Sequence, residues 1–278
     1  MAHSLVIILV LYKKKISQTP NYKWLARMLE TCSTLHLFVY DNSPMQQEDA
    51  VFFKRNVHYK HNAKNPGLAE AYNEGIVYGT KEKAELFLLL DQDTTMTPEY
   101  VQRLLFLSLD DKIAVYVPIV KANNKQISPL YATSYVGRYS EFPPTGLAKK
   151  QITAINSGTV LTKQAVAAIG GRFNQEFPLD FLDHWFFWFL SQKQMTIMVL
   201  KEELIQQLSV LDYQAMTKER YQSIVSSETR FYQNYDRTKL NQHKKHLFLR
   251  AIKQFFLVKN RIIWQLTILE LFKLLKGK

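Results

Sequence analysis

The run Leu86-Phe87-Leu88-Leu89-Leu90-Asp91-Gln92-Asp93 decides how this chain folds. Five apolar residues without polar alternation predict a strand buried on both faces, the pattern of a parallel sheet. The acids at i and i+2 then stand at its carboxyl end, where open α/β sheets bind ligands. Two carboxylates there can hold a divalent cation, and Mg²⁺ completes its shell with water and substrate phosphates. The motif therefore points to a cation–diphosphate site.

The flanking sequence supports a sheet of this type. Strands are predicted at Leu5–Leu11, Leu35–Tyr40, Val57–His61, Leu86–Leu90 and Ala114–Val120, with helices around Tyr22–Cys32, Gly67–Gly79 and Pro98–Leu107. Alternation with short connections implies a mostly parallel sheet flanked by helices. Residues 121–155 are rich in polar, Pro and Gly residues and read as a loop region with room for a β-ribbon. Beyond them the pattern predicts a strand at Ile155–Leu161, helices at Lys163–Ile169 and Phe181–Ser191, and a late strand at Met195–Leu200. From Met216 the chain reads as helical to its end.

The chain has 278 residues, of which 47% are hydrophobic, so a sizeable core forms and disorder is excluded. One cysteine, Cys32, excludes an internal disulfide framework and fits a reducing compartment. Leu5–Leu11 lacks a basic leader and a small-residue cleavage site, so it reads as a strand rather than a signal peptide. No apolar run is long enough to span a bilayer. The net charge of +12 is uneven: residues 237–278 hold eleven Lys/Arg against the single acid Glu270, a local charge of +10. The expected division is a catalytic-type α/β domain over 1–215 and a basic amphipathic helical region over 216–278.

Five motifs occur in order: Val39-Tyr40-Asp41-Asn42-Ser43, Asn65-Pro66-Gly67 through Asn73-Glu74-Gly75, Leu89-Leu90-Asp91-Gln92-Asp93-Thr94, Asn156-Ser157-Gly158, and Leu179-Asp180-Phe181-Leu182-Asp183. Together they resemble the family 2 (GT-A fold) glycosyltransferases, above all the bacterial rhamnosyltransferase-like branch, over roughly residues 5–235. The resemblance implies a GT-A-type Rossmann-like sheet with a C-terminal helical appendage. It implies transfer of a sugar, with inversion, from dTDP-rhamnose or a UDP-hexose to a lipid-linked or oligosaccharide acceptor in surface polysaccharide synthesis.

On that resemblance the donor nucleotide sugar is met by Tyr12, Asp41, Asn65, Gly67, Asn73, Asp91, Gln92 and Asp93. Asp41 serves the nucleoside, unless it is a turn acid before Asn42-Ser43-Pro44. Small residues at 67–75 let backbone approach a ligand, and a helix N-terminus there favours anions. Asp93, with Asp91 behind it, would hold Mg²⁺ or Mn²⁺. Asp180 and Asp183, at i and i+3, can share one helical face. Among Phe177, Phe181, Trp185, Phe186 and Phe187 their charged form is disfavoured, which suits a general base. Asp183 is the expected base, with Asp180, His184 and Trp185 on the acceptor side. Asp180 has a second reading as a helix cap, His184 as a packed residue, and the aromatic run as core rather than acceptor wall.

Two departures stand out. Trp185 replaces an acid common in the family, and Gln206-Gln207-Leu208-Ser209 replaces a segment that often carries a metal-binding His. The cation is therefore expected to depend on the donor diphosphate for part of its shell. Arg230 is a further candidate for that diphosphate. The tail interleaves Lys/Arg with apolar residues, which fits an interfacial helix on anionic lipid at the cytoplasmic face of the membrane. The alternatives are a helical pair packed on the core, or on a second copy in a homodimer. No nucleic-acid module is visible. Competing readings are a non-catalytic membrane-associated nucleotide-sugar-binding protein and a sugar nucleotidyltransferase. The latter would need a Gly-rich loop after the first strand, where Tyr12-Lys13-Lys14-Lys15 stands instead.

Overall fold

The computed structural model describes residues 2–136, 140–207 and 216–276. The first half alternates β1 (Leu5–Leu11), α1 (Tyr22–Thr31), β2 (Leu35–Asp41), β3 (Val57–His61), α2 (Leu68–Lys81) and β4 (Leu86–Asp91). These four strands are mutually parallel, with β1 between β2 and β4. Every residue of β1 is buried because both faces are covered. Val6, Ile8 and Val10 point into one core cluster, and Leu5, Ile7, Leu9 and Leu11 into the other. β4 is built the same way, with Phe87 and Leu89 on one side and Leu86, Leu88 and Leu90 on the other.

The second half contains β5 (Thr94–Thr95), α3 (Pro98–Leu105), β6 (Ile113–Ala122), β7 (Lys125–Ser128), β8 (Leu130–Tyr131), β9 (Gly146–Leu147), β10 (Ile152–Thr153), β11 (Val160–Thr162), α4 (Lys163–Ala168), α5 (Leu182–Gln192) and β12 (Thr196–Gln206). The main path of the sheet runs β3-β2-β1-β4-β11-β6-β12-β5. β11 lies antiparallel between β4 and β6, and β12 continues parallel to β6. β8 and β10 supply the ribbon expected within 121–155.

Two strands differ from their predicted spans. The strand expected from Ile155 begins at Val160, because Asn156-Ser157-Gly158 is a turn in which the Thr159 N–H bonds the Asn156 carbonyl. β12 runs on to Gln206, past Lys201-Glu202-Glu203. Those charges do not end it because Glu202 pairs with Arg103 and Glu203 with Lys121 at the sheet surface. Its last residues pair with β5, setting Gln206 opposite Thr94.

Three helices follow: α6 (Lys218–Asn234), α7 (Leu240–Leu257) and α8 (Arg261–Leu275). α6 belongs to two cores. Phe231 and Tyr232 join the core beneath α5, while Tyr221 and Val225 join a separate cluster with Leu247 of α7 and Ile263, Leu266 and Leu271 of α8. The tail is thus a helical hairpin packed on α6. The domain boundary expected at 215/216 lies at the edge of residues outside those described. No described helix is long and apolar enough to cross a membrane.

Candidate active site

The carboxyl ends of β1, β2 and β4 form one wall of a cleft of about 420 Å³, and residues 179–183 form the other. Tyr12, Asn65, Gly67, Asp91, Gln92, Asp93, Asp180 and Asp183 all line it. Asp41, Asn73, His184 and Trp185 do not. Asn42, Asn156, Gln206 and Arg220 line it as well.

The acidic centre is held from behind. Ser157 Oγ accepts the Asp91 backbone N–H at 2.8 Å and donates to Thr94 Oγ1 at 2.7 Å. The Tyr72 hydroxyl donates to Asp91 Oδ1 at 3.1 Å. Burial, then the charge of Asp93, pushes the Asp91 carboxyl up to about 7, against the opposing effect of the Tyr72 hydrogen bond. Burial also raises Asp93, partly offset by its own backbone N–H and by Lys14. Gln92 ties β4 to β1, accepting from the Tyr12 N–H at 2.8 Å and donating to the Tyr12 carbonyl at 3.1 Å.

The donor set fits a hard cation. Gln206 Oε1 is buried without a hydrogen-bond partner and lines the same cleft, next to Asp93 through the Gln206–Thr94 register. An orphaned amide oxygen beside two carboxylates with raised pKa is a set that Mg²⁺ or Mn²⁺ would satisfy. No cluster of three or more His, Cys, Asp or Glu able to hold a metal exists among the described residues. Leu208 and Ser209 lie outside the described residues.

The opposite wall is joined to the first by backbone. The Pro178 carbonyl accepts from the Leu68 N–H at 2.6 Å and the Ala69 N–H at 3.1 Å. It therefore satisfies the start of α2, where an anion was expected. Gly67 is required by this approach: its φ is +100°, and a Cβ there would lie 2.3 Å from the Pro178 oxygen. Phe181, at φ +64°, turns the chain into α5 in a left-handed conformation costly for a bulky residue. This turn separates the two acids, which do not share a helical face. Asp180 lies before the helix, bound by Arg220 at 2.5 Å and Ser223 at 2.8 Å. Asp183, in the first turn, is half-buried and accepts the His184 N–H at 2.8 Å. Of the aromatic residues expected around it, Phe181 lines the cleft, while Phe177, Trp185, Phe186 and Phe187 are buried.

Five candidates, Asp41, Asn73, Trp185, His184 and Arg230, lie away from this cleft. Asp41 is fully buried, and its carboxylate accepts from the Ser43 N–H, Gln47 Nε2 and the Tyr59 hydroxyl, so it braces the wall behind the cleft. Its neighbour Asn42 lines the cleft with a buried, unpartnered Oδ1. Asn73 is turned from the cleft and clamps the backbone of Phe173, accepting its N–H at 2.6 Å and donating to its carbonyl at 3.2 Å. Trp185 packs against Phe173 and Phe189 in the core. His184 sits edge-on to Phe181 and near Thr153, beside a separate small pocket. Arg230 donates to the Glu176 carbonyl; the cleft arginine is Arg220. Sequence reasoning missed Arg220, which lies in no motif, and Tyr72, which lies inside the second motif beside Asn73 but reaches Asp91 only through tertiary packing.

Comparisons with known proteins give the family and the fold. A family model described as Glycosyl transferase family 2 matches residues 23–167. The chain belongs to glycosyl transferase family 2. The crystal structure of S. aureus TarS 1–349 aligns with a TM-score of 0.51 over 99% of this chain and 92% of that one, at 11% identity. That likeness is one of fold. No curated protein matches the chain.

Proposed function

We propose that the protein is an inverting glycosyltransferase that moves rhamnose or a hexose from a nucleoside-diphosphate donor to a lipid-linked saccharide at the inner face of the cell membrane. The observation that carries this reading is Asp183 on one wall of a single cleft and the Asp91–Asp93 pair on the other. Tyr12, Asn42 and Gly67 offer a surface for the nucleotide, and Asp93 with Gln206 Oε1 would hold a divalent cation. When bound, that cation would offset charge on the diphosphate.

Asp183 takes the proton from an acceptor hydroxyl. The acceptor oxygen then bonds to the anomeric carbon while the bond to the diphosphate oxygen breaks, and the electron pair leaves with the nucleoside diphosphate. Attack opposite the leaving group inverts the centre. Asp180, held by Arg220 and Ser223, keeps the base-bearing turn in place.

The test is Asp183→Asn. The variant is expected to fold and bind donor but to lose transfer by at least about a hundredfold. Full transfer activity in the folded variant would remove Asp183 from the mechanism. Donor binding with neither hydrolysis nor transfer in the wild type, across dTDP- and UDP-sugars, would favour a non-catalytic binding protein.

A further inference from the structure

α7 and α8 each present two apolar faces. The inner faces are spent on packing: Leu247 and Ala251 of α7, and Ile263, Leu266 and Leu271 of α8, are buried. The outer faces are not. On α7, Phe248, Ile252 and Phe255 recur four and three residues apart, and Phe256 and Leu257 extend this stripe to the end of the helix with exposures of 76% and 67%. On α8, Ile262, Leu269 and Phe272 repeat the pattern. These side chains form continuous stripes rather than scattered single residues, and contiguous apolar patches mark interaction sites.

The two helices meet at the hairpin tip through Phe255 of the α7 stripe. The Phe255 ring lies 5.2 Å from Phe256 and 5.3 Å from Trp264 of α8, both edge-on. The Arg261 guanidinium sits 5.1 Å from the Phe255 ring and donates to the Phe255 carbonyl. Charge selects among partners. The sole acid from 237 onward is Glu270, which is buried and paired with Lys273, so the hairpin shows no exposed carboxylate among its described residues. A second copy of this face would bring like charge against like charge. An anionic bilayer offers both apolar depth for the stripe and opposite charge for Lys253, Lys259 and Arg261.

We infer that the outer face of the α7–α8 hairpin docks on an anionic lipid bilayer, with Phe255, Phe256 and Leu257 as the inserted wedge. The inference rests on the membrane-bound acceptor proposed above and gives that membrane a defined surface on the protein. It also sets orientation, because α7 is fixed to the loop before residue 137. Arg250 binds both oxygens of Glu228, at 2.6 and 2.8 Å. Tyr135 donates to Glu228 at 2.7 Å and stacks on His246 at 4.3 Å. Docking of the hairpin thereby fixes the Tyr135 loop and α6 relative to the lipid.

The test is sedimentation of the full chain with vesicles of phosphatidylcholine alone and with about a third phosphatidylglycerol. Wild type is expected to pellet with the anionic vesicles, less so as salt rises, and to stay free of the neutral ones. Phe256→Asp with Leu257→Asp should cut the bound fraction at least tenfold with an unchanged melting temperature, since both side chains are exposed. Lys253→Glu with Lys259→Glu should weaken binding without touching the wedge. Equal pelleting with both vesicle types, or wild-type pelleting of the Asp variant, would overturn the inference. So would a dimer in sedimentation velocity that the Asp substitutions disperse. No turnover enters this readout, so transfer to a water-soluble acceptor without vesicle binding sinks the docking surface alone. Vesicle binding combined with full activity of Asp183→Asn sinks the catalytic assignment alone.

Discussion

At the scale of single residues, the site depends on atoms that have no alternative partner. Asn73 clamps Phe173 through both atoms of its amide, so Asn73→Ala leaves the Phe173 N–H buried and unpaired. We expect a loss of about 1–3 kcal/mol in urea unfolding, with donor KM unchanged in the folded enzyme. A raised donor KM at unchanged stability would instead return Asn73 to the donor site. Gln206 Oε1 gives the opposite kind of prediction. Gln206→Ala removes an oxygen of the kind that suits Mn²⁺ and should raise the Mn²⁺ concentration needed for donor-induced stabilisation. In the wild type, Mn²⁺ alone should shift Tm little, and Mn²⁺ with a nucleoside diphosphate should shift it more. Such residue roles were only partly legible beforehand. Asp91, Asp93 and Asp183 sit in the motifs that singled them out, and all three line the cleft. Asp41 occupies an equally suggestive strand end, and only the positions of Gln47 and Tyr59 show that its carboxylate is already satisfied.

Elements carry a pH response. His243 lies at the joint of α6 and α7, with its ring between Tyr135 and Thr229. Burial, outweighing the attraction of Glu228, pushes it down to about 4 from the usual 6.5. Between these values the unfolded chain takes up a proton that the folded chain refuses. The contribution of neutral His243 is therefore complete above pH 6.5 and falls away as pH drops towards 4, by up to about 3 kcal/mol. Denaturant unfolding of wild type and His243→Gln at pH 7 and pH 4.5 should show the larger acid loss in the wild type. Equal losses would mean that the histidine is not held neutral. Elements were also the most legible level. β1 and β4 were evident because burial on both faces leaves no room for polar alternation. β11 was misplaced because Asn156-Ser157-Gly158 follows an apolar residue yet turns to support Asp91. The end of β12 was missed because its charges are paired across the sheet with Arg103 and Lys121, a fact that periodicity does not contain.

For the whole molecule, α6 makes the C-terminal hairpin part of the fold. Tyr221 and Val225 on one side of α6 are covered by the hairpin, while Phe231 and Tyr232 are built into the main core. Truncation after residue 236 would expose the first pair and strand Glu228 without Arg250. Loss of one partner from a buried pair is expected to cost about 3–5 kcal/mol. A melting curve of the truncated chain should therefore fall well below that of the full chain, even where vesicle binding is not at issue. Unchanged Tm would show the hairpin to be an independent appendage.

The seam between Gly67 and the Pro178 carbonyl has a consequence for inheritance and for engineering. The segment proposed to meet the nucleotide and the segment that carries Asp183 are joined by two backbone hydrogen bonds to the Pro178 carbonyl, where Gly67 leaves no room for a side chain, and by the Asn73 clamp on Phe173. A donor-side loop borrowed from a relative with another sugar preference would drag the base with it unless its glycine and the facing proline stretch were transplanted together. The Gly67 loop and the turn that carries Asp183 should therefore be exchanged as one cassette.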